Sequence, residues 1–406
     1  MKIVIIGKFP YPQGYGLSIF CGNLAAGLSQ LGCTVRVFII WPTESGGRAV
    51  NKEASGKNGN VEFCYTCGRT DYPSPGRMLF LYKAWFWVYG IFALWSHLRK
   101  EDRGPEKIDT LLVTSISSYI WIVKLYAFLS GKTMVCYHGE YPACGQKVPW
   151  YRLPAFWVEK RFSHLLADGM IVATGVLAGY YGKYTRKDCL FCRIPILLKT
   201  EDFPEPDGNV GNVLTYCGDM SNSKDGVDFL LRVFGRVAPM FPDFRLQMIG
   251  SAPQCVMENL RKICEEENIA DRVVFTGVLP HKQVIAALQK SAVLILTRPA
   301  NKQAEGGFPS KLGEYLYTGN PVLVSAVGEL PRILTDRENV FFARPGDMED
   351  FAEKLKGILS DLPSARETGR RGRQFASENF NCRHQCEKIL ALCKTVEQNR
   401  RGNINV

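Results

Sequence analysis

Strands and helices alternate along this chain, and that alternation constrains the fold more than any other feature of the sequence. The run KIVIIG at 2–7 is typical of a buried strand, the apolar residues of LSIFCGNLAAGLSQ recur at helical spacing, and CTVRVFII is β-branched again. A strand–helix–strand order predicts parallel strands joined by a right-handed crossover. We therefore expect an α/β fold built on parallel sheets.

The alternation occurs twice. It is interrupted by the polar, turn-rich segment 199–212 and restarts with the strand NVLTYCG. A chain of 406 residues is also too long for one ordinary core. We predict an N-terminal domain over residues 1–200, a C-terminal domain over residues 201–380 and a helical tail over residues 381–406.

Positive charge is concentrated in the first half of the chain. Residues 1–200 carry 24 Lys and Arg against 12 Asp and Glu, a net charge of +12, whereas residues 201–406 carry 26 against 27. This asymmetry favours an anionic partner such as a membrane surface, a phosphorylated acceptor or nucleic acid, although a merely solvated basic face has the same composition. Two polar stretches are interpreted as surface: 43–60 as a loop, and the GRRGR run at 369–373 as a solvated helix end.

The cysteines give no sign of a disulfide scaffold, because the 14 of them are scattered along the chain. The opening MKIVIIG has an apolar run too short for the hydrophobic region of a secretory signal. We therefore expect reduced thiols and a cytoplasmic location. Zinc needs four converging ligands, so we expect no metal site from the Cys-containing stretches 64–67, 189–192 and 382–386.

The segment GRMLFLYKAWFWVYGIFALWSHLRK (76–100) stands apart because it is rich in aromatic residues and has basic flanks. Its uninterrupted apolar run, from Ala84 to Trp95, is too short to span a bilayer comfortably. Aromatic residues with basic flanks favour a helix that lies in the membrane interface. A helix packed in the core of the first domain is the alternative.

The stretch GGFPSKLGEYLYTGNPVLVS (306–325) indicates a phosphate site. It follows the strand AVLILT and opens a helix, whose start offers free backbone N–H groups and the positive end of the helix dipole. Gly306 and Gly307 allow close approach of the backbone to a ligand. Ser310 and Lys311 add a hydroxyl and an ammonium.

Glu314 lies one turn after Lys311, in a helix for which we predict Pro309 as the first residue. A carboxylate repels phosphate, so we expect Glu314 to accept hydrogen bonds from sugar hydroxyls. A phosphate site at the helix start and a ribose site beside it together indicate a nucleoside diphosphate as the ligand. An ordinary amphipathic helix with a Lys–Glu pair is the alternative.

A second strand–loop–helix has the same organisation. In YCGDMSNSKDGVDFLL the strand ends at Gly218, and Lys224 stands in the loop before Asp225, Gly226 and a helix. Ligands of open α/β sheets bind beyond the carboxyl ends of the strands, and both segments meet that condition.

The first domain offers a weaker pattern. Its loop 7–18 follows a strand and leads into a helix, and Gly14 and Gly16 would lie near a phosphate or an acceptor, but the dinucleotide motif G-x-G-x-x-G is absent. His138 follows another strand at a glycine-containing turn, where a residue that faces a cleft belongs. A lone histidine is more often structural, and both interpretations stand.

These residues together resemble one family. GGFPSKLGEYLYTGNPVLVSAVGEL resembles the nucleotide-sugar signature of the GT4 glycosyltransferases, YCGDMSNSKDGVDFLLRVF resembles the opening of their second domain, and His138-Gly139 resembles their first-domain histidine. The resemblance implies the GT-B fold, in which two Rossmann-like domains face each other across a cleft and the last helix crosses back to the N-terminal domain. It also implies retention of anomeric configuration, no metal and no cofactor beyond the nucleoside-diphosphate sugar that serves as donor.

The resemblance implies roles for individual residues. Lys224 and Lys311 would stabilise the leaving diphosphate, His138 would contact the donor sugar, and Glu314 would bind the ribose. The residues that the resemblance assigns to donor binding are Gly14, Gly16, Gly218, Glu305, Gly306, Gly307, Phe308, Pro309, Ser310 and Glu314.

Two positions depart from the family pattern. Where the family often has a first glutamate, eight positions before Glu314, this chain has Gly306, and Glu305 is one residue away. Where the family often has arginine, this chain has Asp219. The first departure puts in question the hydrogen bonds to the donor sugar. The second puts in question the number of cations at the diphosphate.

The resulting hypothesis is a hexosyltransferase-type enzyme that uses a nucleoside-diphosphate sugar and a lipid-linked glycan acceptor in cell-surface polysaccharide or lipopolysaccharide assembly. We expect it in the cytoplasm, peripherally at the inner face of the membrane. Alternatives are a nucleotide-sugar epimerase of the same fold and a non-catalytic scaffold subunit. No nucleic-acid partner is expected, because no recognised binding motif accompanies the positive charge.

Overall fold

The computed structural model describes residues 1–14, 16–45, 49–73, 79–114, 119–142, 157, 163–205, 208–221 and 224–404. Two compact units make up the chain. The N-terminal unit comprises Met1–Leu197 together with Cys382–Val406, and the C-terminal unit comprises Leu198–Asn381. Each unit has an α/β architecture around a mainly parallel sheet, so the predicted fold class is confirmed.

The described strands of the N-terminal unit are β1 (Lys2–Gly7), β2 (Thr34–Ile39), β3 (Glu44–Ser45), β4 (Ser55–Asn58), β5 (Val61–Tyr65), β6 (Asp71–Tyr72), β7 (Thr110–Thr114), β8 (Thr133–His138), β9 (Gly169–Val172) and β10 (Leu190–Arg193). Its main sheet has the order β10-β9-β8-β7-β1-β2-β5-β4, and β3 pairs with β6 separately. All of these pairings are parallel except that of β4 with β5. The prediction of a loop over 43–60 was therefore wrong, because β3 and β4 lie within that stretch.

The described helices of this unit are α1 (Leu17–Gln30), α2 (Leu79–Asp102), α3 (Ile120–Ser130), α4 (Gly175–Gly182) and α13 (Cys382–Ile404). The central strand β1 is buried along its whole length, as expected for a strand covered on both faces. Helix α13 packs on α1, and a Cβ atom at Gly27 would come within 2.5 Å of Cys386 Sγ. Glycine at this position lets the last helix approach the first.

The described strands of the C-terminal unit are β11 (Val213–Cys217), β12 (Arg245–Ile249), β13 (Val273–Gly277), β14 (Val293–Leu296), β15 (Val322–Ser325) and β16 (Phe341–Ala343). They form one parallel sheet of order β13-β12-β11-β14-β15-β16. The chain adds strands in one direction from β11 and then reverses at β14. This reversal creates a crevice at the carboxyl ends of β11 and β14.

The described helices of the C-terminal unit are α5 (Val227–Val237), α6 (Gln254–Glu266), α7 (His281–Gln289), α8 (Lys302–Gly306), α9 (Lys311–Tyr317), α10 (Leu330–Ile333), α11 (Met348–Ser360) and α12 (Leu362–Asn379). The GRRGR run lies inside α12, so its prediction as a solvated helix end was wrong. A Cβ atom at Gly369 would come within 2.4 Å of the Gly319 carbonyl oxygen. The glycines of the run let α12 pack closely on its neighbours.

Among the described residues, no helix has both the length and the apolar character needed to cross a bilayer.

Candidate functional site

The crevice of the C-terminal sheet collects most of the predicted site residues. Gly218 follows β11 directly, and Thr297 and Arg298 follow β14, the strand paired with β11. The Thr297 hydroxyl donates to the Asp225 carbonyl oxygen over 2.9 Å, which ties the loop before α5 to the end of β14. Both predicted loops therefore meet at the point where the strand order reverses.

Lys311 and Asp225 form the centre of this site. Lys311 Nζ lies 2.5 Å from Asp225 Oδ2, and the Tyr216 hydroxyl donates to the same oxygen over 2.9 Å. The Asp225 carboxylate is buried, and Arg298 Nε lies 3.6 Å from its second oxygen. Burial alone would raise the pKa of the Asp225 carboxyl, but the positive charge of Lys311 outweighs it and holds that pKa below its ordinary value of 3.8.

Gly218 has a steric reason to be glycine. A Cβ atom there would come within 1.8 Å of Lys311 Nζ and 2.8 Å of the Tyr216 hydroxyl oxygen. The backbone at the end of β11 thus leaves the space that the ammonium occupies. Gly250 makes a similar approach, since its Cβ would lie 1.9 Å from the Gly218 carbonyl oxygen.

Glu314 faces a residue that the sequence prediction missed. His281, the first residue of α7, places Nε2 3.3 Å from Glu314 Oε1, and both side chains are partly exposed. The hydrogen bond to Glu314 raises the pKa of His281 above 6.5, against the opposing effect of burial. When His281 is protonated, it forms an ion pair with the carboxylate that was predicted to bind ribose.

The approach to α9 differs slightly from the prediction. Helix α9 begins at Lys311 rather than at Pro309, with Ser310 as its exposed N-cap residue. Glu305 is exposed in the short helix α8, whereas Gly306 at its end is buried. The remaining residues of this approach are the buried Gly307 and Pro309 and the partly buried Phe308, whose ring packs on Phe380.

Lys224 stands directly before Asp225 and is partly buried. It therefore adjoins the carboxylate that pairs with Lys311. The structure therefore gathers Lys224, Gly218, Lys311 and Glu314 in the C-terminal unit.

The structure places Gly14, Gly16 and His138 in the N-terminal unit instead. Gly16 is the N-cap of α1 with φ of 53°, and a Cβ atom at Gly14 would come within 2.4 Å of Ser18 Oγ. The ring of Phe20 in α1 stacks on Tyr137 with centroids 3.9 Å apart. Hence the start of α1 lies close to the end of β8, where His138 is found.

His138 is a buried, neutral imidazole. Its ring stacks on Tyr181 at 4.4 Å, with the edge of His164 5.5 Å away. Burial, reinforced by the charge that His164 would carry, lowers the pKa of His138 well below 6.5. Within the described part of the chain, Nε2 of His138 has no hydrogen-bond partner. A neutral imidazole of this kind can form one hydrogen bond with a ligand hydroxyl through Nε2. It carries no positive charge that would attract phosphate.

Sequence reasoning missed Asp225, Arg298, Tyr216 and His281 as site residues. Asp225 adjoins Lys224 in a loop that was already recognised, so its position was a usable signal. Tyr216 likewise opens the recognised segment YCGDMSNSKDGVDFLL, and Arg298 directly follows the strand AVLILT. His281 reaches the site only through folding, because it lies 33 residues from Glu314 in sequence. For the metal question, the described His, Cys, Asp and Glu side chains form no group of three that could hold an ion.

Part of this chain is similar in sequence to known proteins. Residues 211–361 match the sequence profile of the family described as glycosyl transferases group 1. The 2-deoxystreptamine glucosyltransferase of Streptomyces kanamyceticus is 26% identical over 186 residues, 46% of each chain, so the match spans less than half of that relative. The GDP-mannose-dependent alpha-(1-6)-phosphatidylinositol monomannoside mannosyltransferase of Mycolicibacterium smegmatis is 25% identical over 61% of this chain and 68% of its own.

A solved structure of sucrose-phosphate synthase from Thermosynechococcus elongatus matches 97% of this chain and 98% of its own, with a TM-score of 0.76 and 17% identity. At that identity the likeness establishes the fold alone. The profile match shows that residues 211–361, within the C-terminal unit, form a glycosyltransferase domain of group 1, and the chain as a whole has the GT-B fold.

Proposed function

We propose that the protein is a retaining glycosyltransferase. It moves a hexose from a nucleoside-diphosphate sugar to a lipid-linked glycan acceptor in the assembly of a cell-surface polysaccharide or lipopolysaccharide. The observation that carries this proposal is the Lys311 ammonium, held by buried Asp225 against Gly218 at the switch point of the C-terminal sheet.

Lys311 is suited to bind a diphosphate because its position is fixed while most of its donors are available. An ammonium has three N–H donors, and Asp225 takes one of them. Among the described residues no second acceptor is bonded to Lys311, and its side chain is 22% exposed. Such a cation, preorganised at a partly buried crevice, stabilises the negative charge that develops on a leaving phosphate.

The other site residues complete a donor site around this cation. Lys224 would add a second cation at the diphosphate, and Ser310 a hydroxyl donor. Glu314 lies one turn beyond Lys311. Its carboxylate would be repelled by phosphate, so it would instead accept hydrogen bonds from the ribose hydroxyls. The glucosyltransferase and GDP-mannose-dependent mannosyltransferase names of the two relatives support a hexose donor.

The proposed chemistry needs no side-chain base. The bond from the anomeric carbon to the diphosphate oxygen breaks, and the acceptor oxygen bonds to that carbon from the same face. The leaving phosphate takes the acceptor proton. His138, neutral because of its lowered pKa, would hold a hydroxyl of the donor sugar through one hydrogen bond. We propose a reaction without metal or other cofactor.

A thermal-shift titration with UDP, GDP, ADP and CMP tests the donor site. A ligand at 100 times its Kd stabilises the folded state by about 2.7 kcal/mol. We expect one diphosphate to raise the Tm of the wild type and of Glu349→Gln, an exposed carboxylate whose loss leaves the site intact. Glu314→Gln should lose most of that shift.

Two results would contradict the proposal. If no nucleotide raises the Tm of the wild type at millimolar concentration, the C-terminal crevice is not a donor site, and the scaffold alternative is favoured. If a nucleotide binds and the protein interconverts nucleotide sugars without an acceptor, the epimerase alternative replaces transfer.

A further inference from the structure

Helix α2 is apolar on two opposite faces. One face is buried and includes Phe86, Gly90 and Leu94. A Cβ atom at Gly90 would come within 2.4 Å of Trp41 Nε1, so the helix is seated closely on the unit through this face. The opposite face carries what we call the aromatic stripe: Leu81, Tyr82, Trp85, Val88, Tyr89 and Phe92.

The aromatic stripe is exposed to solvent. Leu81, Trp85, Val88 and Phe92 follow one another at spacings of four, three and four residues, which aligns them along one side of the helix. Trp85 is 63% and Phe92 70% exposed. The rings of Trp85 and Tyr89 stack parallel, with centroids 5.9 Å apart.

An exposed surface of this kind needs a partner. A helix that is hydrophobic all round is normally covered, and soluble proteins rarely leave large contiguous apolar patches in water. Helix α3 adds to the exposed apolar area with Trp121, Leu125 and Phe128. It lies beside α2, since the Trp95 ring meets that of Tyr126 edge-on at 5.3 Å.

The charges on α2 indicate what the partner is. Beyond Phe92 the helix carries Arg99 and Lys100, followed by Arg103, and these three cations line a surface cavity of about 370 Å³ together with Trp95 and Ser96. Among the described residues none of the three forms an ion pair, so the cavity presents positive charge without a protein counter-charge. A phosphate-bearing head group would supply that counter-charge.

We propose that α2 docks on an anionic membrane surface. The aromatic stripe enters the boundary between head groups and acyl chains, and Arg99, Lys100 and Arg103 contact lipid phosphates. Trp and Tyr favour this boundary because their rings combine an apolar body with a polar group, and basic residues add attraction to anionic lipids. The inference deepens the proposed function, on which it rests, by naming the surface that brings the protein to a lipid-linked acceptor.

Vesicle co-sedimentation of the full chain tests this docking. The vesicles are phosphatidylcholine alone or phosphatidylcholine with phosphatidylglycerol, and no nucleotide is added. We expect binding mainly to the anionic vesicles. Trp85→Ser/Phe92→Ser should abolish it, whereas Met240→Ser/Val278→Ser, matched exposed apolar residues of the C-terminal unit, should bind like the wild type.

A charge variant separates the two parts of the surface. Arg99→Glu/Lys100→Glu/Arg103→Glu should weaken binding to anionic vesicles by roughly 100-fold or more, because each basic residue near such a surface contributes strongly. The matched control reverses three exposed cations elsewhere in the same unit and should change binding far less: Lys52, Lys183 and Lys187.

Three results would overturn the docking proposal: a wild type that sediments with neither vesicle, a stripe variant that binds like the wild type, or a wild-type dimer in sedimentation that the stripe variant dissolves. The last would assign the stripe to a second copy of the chain. The nucleotide-induced Tm shift of the stripe variant, which we expect to be unchanged, checks that it is folded. It also separates failure of docking from failure of the donor site.

Discussion

The two units of this protein share a parallel sheet architecture but differ in the polar groups at the carboxyl ends of their strands. In the C-terminal unit, buried Asp225 meets Lys311 at 2.5 Å and Arg298 at 3.6 Å. In the N-terminal unit, His138 stacks on Tyr181 in an aromatic cluster and remains neutral because its pKa is low. The carboxyl ends of the C-terminal strands therefore present charged groups, which we call the charged edge. Those of the N-terminal strands present uncharged hydrogen-bonding groups, which we call the neutral edge.

This contrast indicates which part of a substrate each unit suits. A diphosphate needs fixed cations, and Lys311 is fixed by its carboxylate partner. Sugar hydroxyls need uncharged hydrogen-bond donors and acceptors. A buried neutral imidazole can form such a hydrogen bond without attracting phosphate. Similar architecture thus acquires different chemistry from the charge of a few side chains, and substitutions on the two sides should have different consequences.

The largest expected effect is on stability, at Asp225. Asp225→Asn removes the carboxylate that faces Lys311 and Arg298, and loss of one partner from a buried ion pair costs about 3–5 kcal/mol. Urea denaturation should detect it as a lower free energy of unfolding. Because the pKa of Asp225 is depressed in the folded state, this stabilisation is complete above its ordinary value of 3.8 and is lost as the pH falls through the lower folded pKa.

Asp243→Asn, an exposed aspartate of the same unit, serves as the control and should leave the free energy of unfolding nearly unchanged. If Asp225→Asn is as stable as this control, the pair with Lys311 is not a stabilising feature, and the contrast between the two edges loses its energetic basis.

The sequence predicted Lys311 and Gly218 in the site but not the interaction between them. Strand periodicity and glycine-rich loops are local signals, so the α/β class and both C-terminal loops could be predicted. The partners of Lys311 and Glu314 come from distant segments: Asp225 lies 86 residues before Lys311, and His281 lies 33 before Glu314. Only the fold brings such residues together.

The next effect is on catalysis, at Lys311. Lys311→Ala should lower kcat by roughly 100- to 1000-fold, the loss typical for one preorganised group that stabilises developing charge. Lys290→Ala, an exposed lysine of the same unit, should keep its rate. The assay is transfer from the nucleoside-diphosphate sugar identified by thermal shift.

The double variant Lys311→Ala/Asp225→Asn separates catalysis from stability. The double variant no longer leaves the Lys311 ammonium without its carboxylate, and only Arg298 still loses that partner. Part of the free energy of unfolding should therefore return while kcat stays low. Recovery of both quantities together would mean that Lys311 acts only through stability and not on the diphosphate.

The smallest expected effect is on the pH dependence of nucleotide affinity, which should distinguish His281 from His138. Protonated His281 pairs with Glu314 3.3 Å away, and this pair stabilises the fold below 6.5 and is lost as the pH rises through the raised pKa of His281. In the proposed donor site, loss of the pair would free Glu314 to bind ribose, so nucleotide affinity should increase over that rise. Exposed ion pairs contribute little, and we expect a change of about fivefold or less in Kd, measured by calorimetry.

His281→Gln should flatten this pH dependence, because it removes the group that titrates. His138→Gln should leave the shape of the profile intact, since His138 is already neutral over the same range, although it would weaken binding of the intact sugar donor. The opposite assignment, in which the profile follows His138, would require that imidazole to carry a proton in its buried aromatic cluster. It would also remove the distinction between a charged and a neutral edge on which the roles of the two units rest.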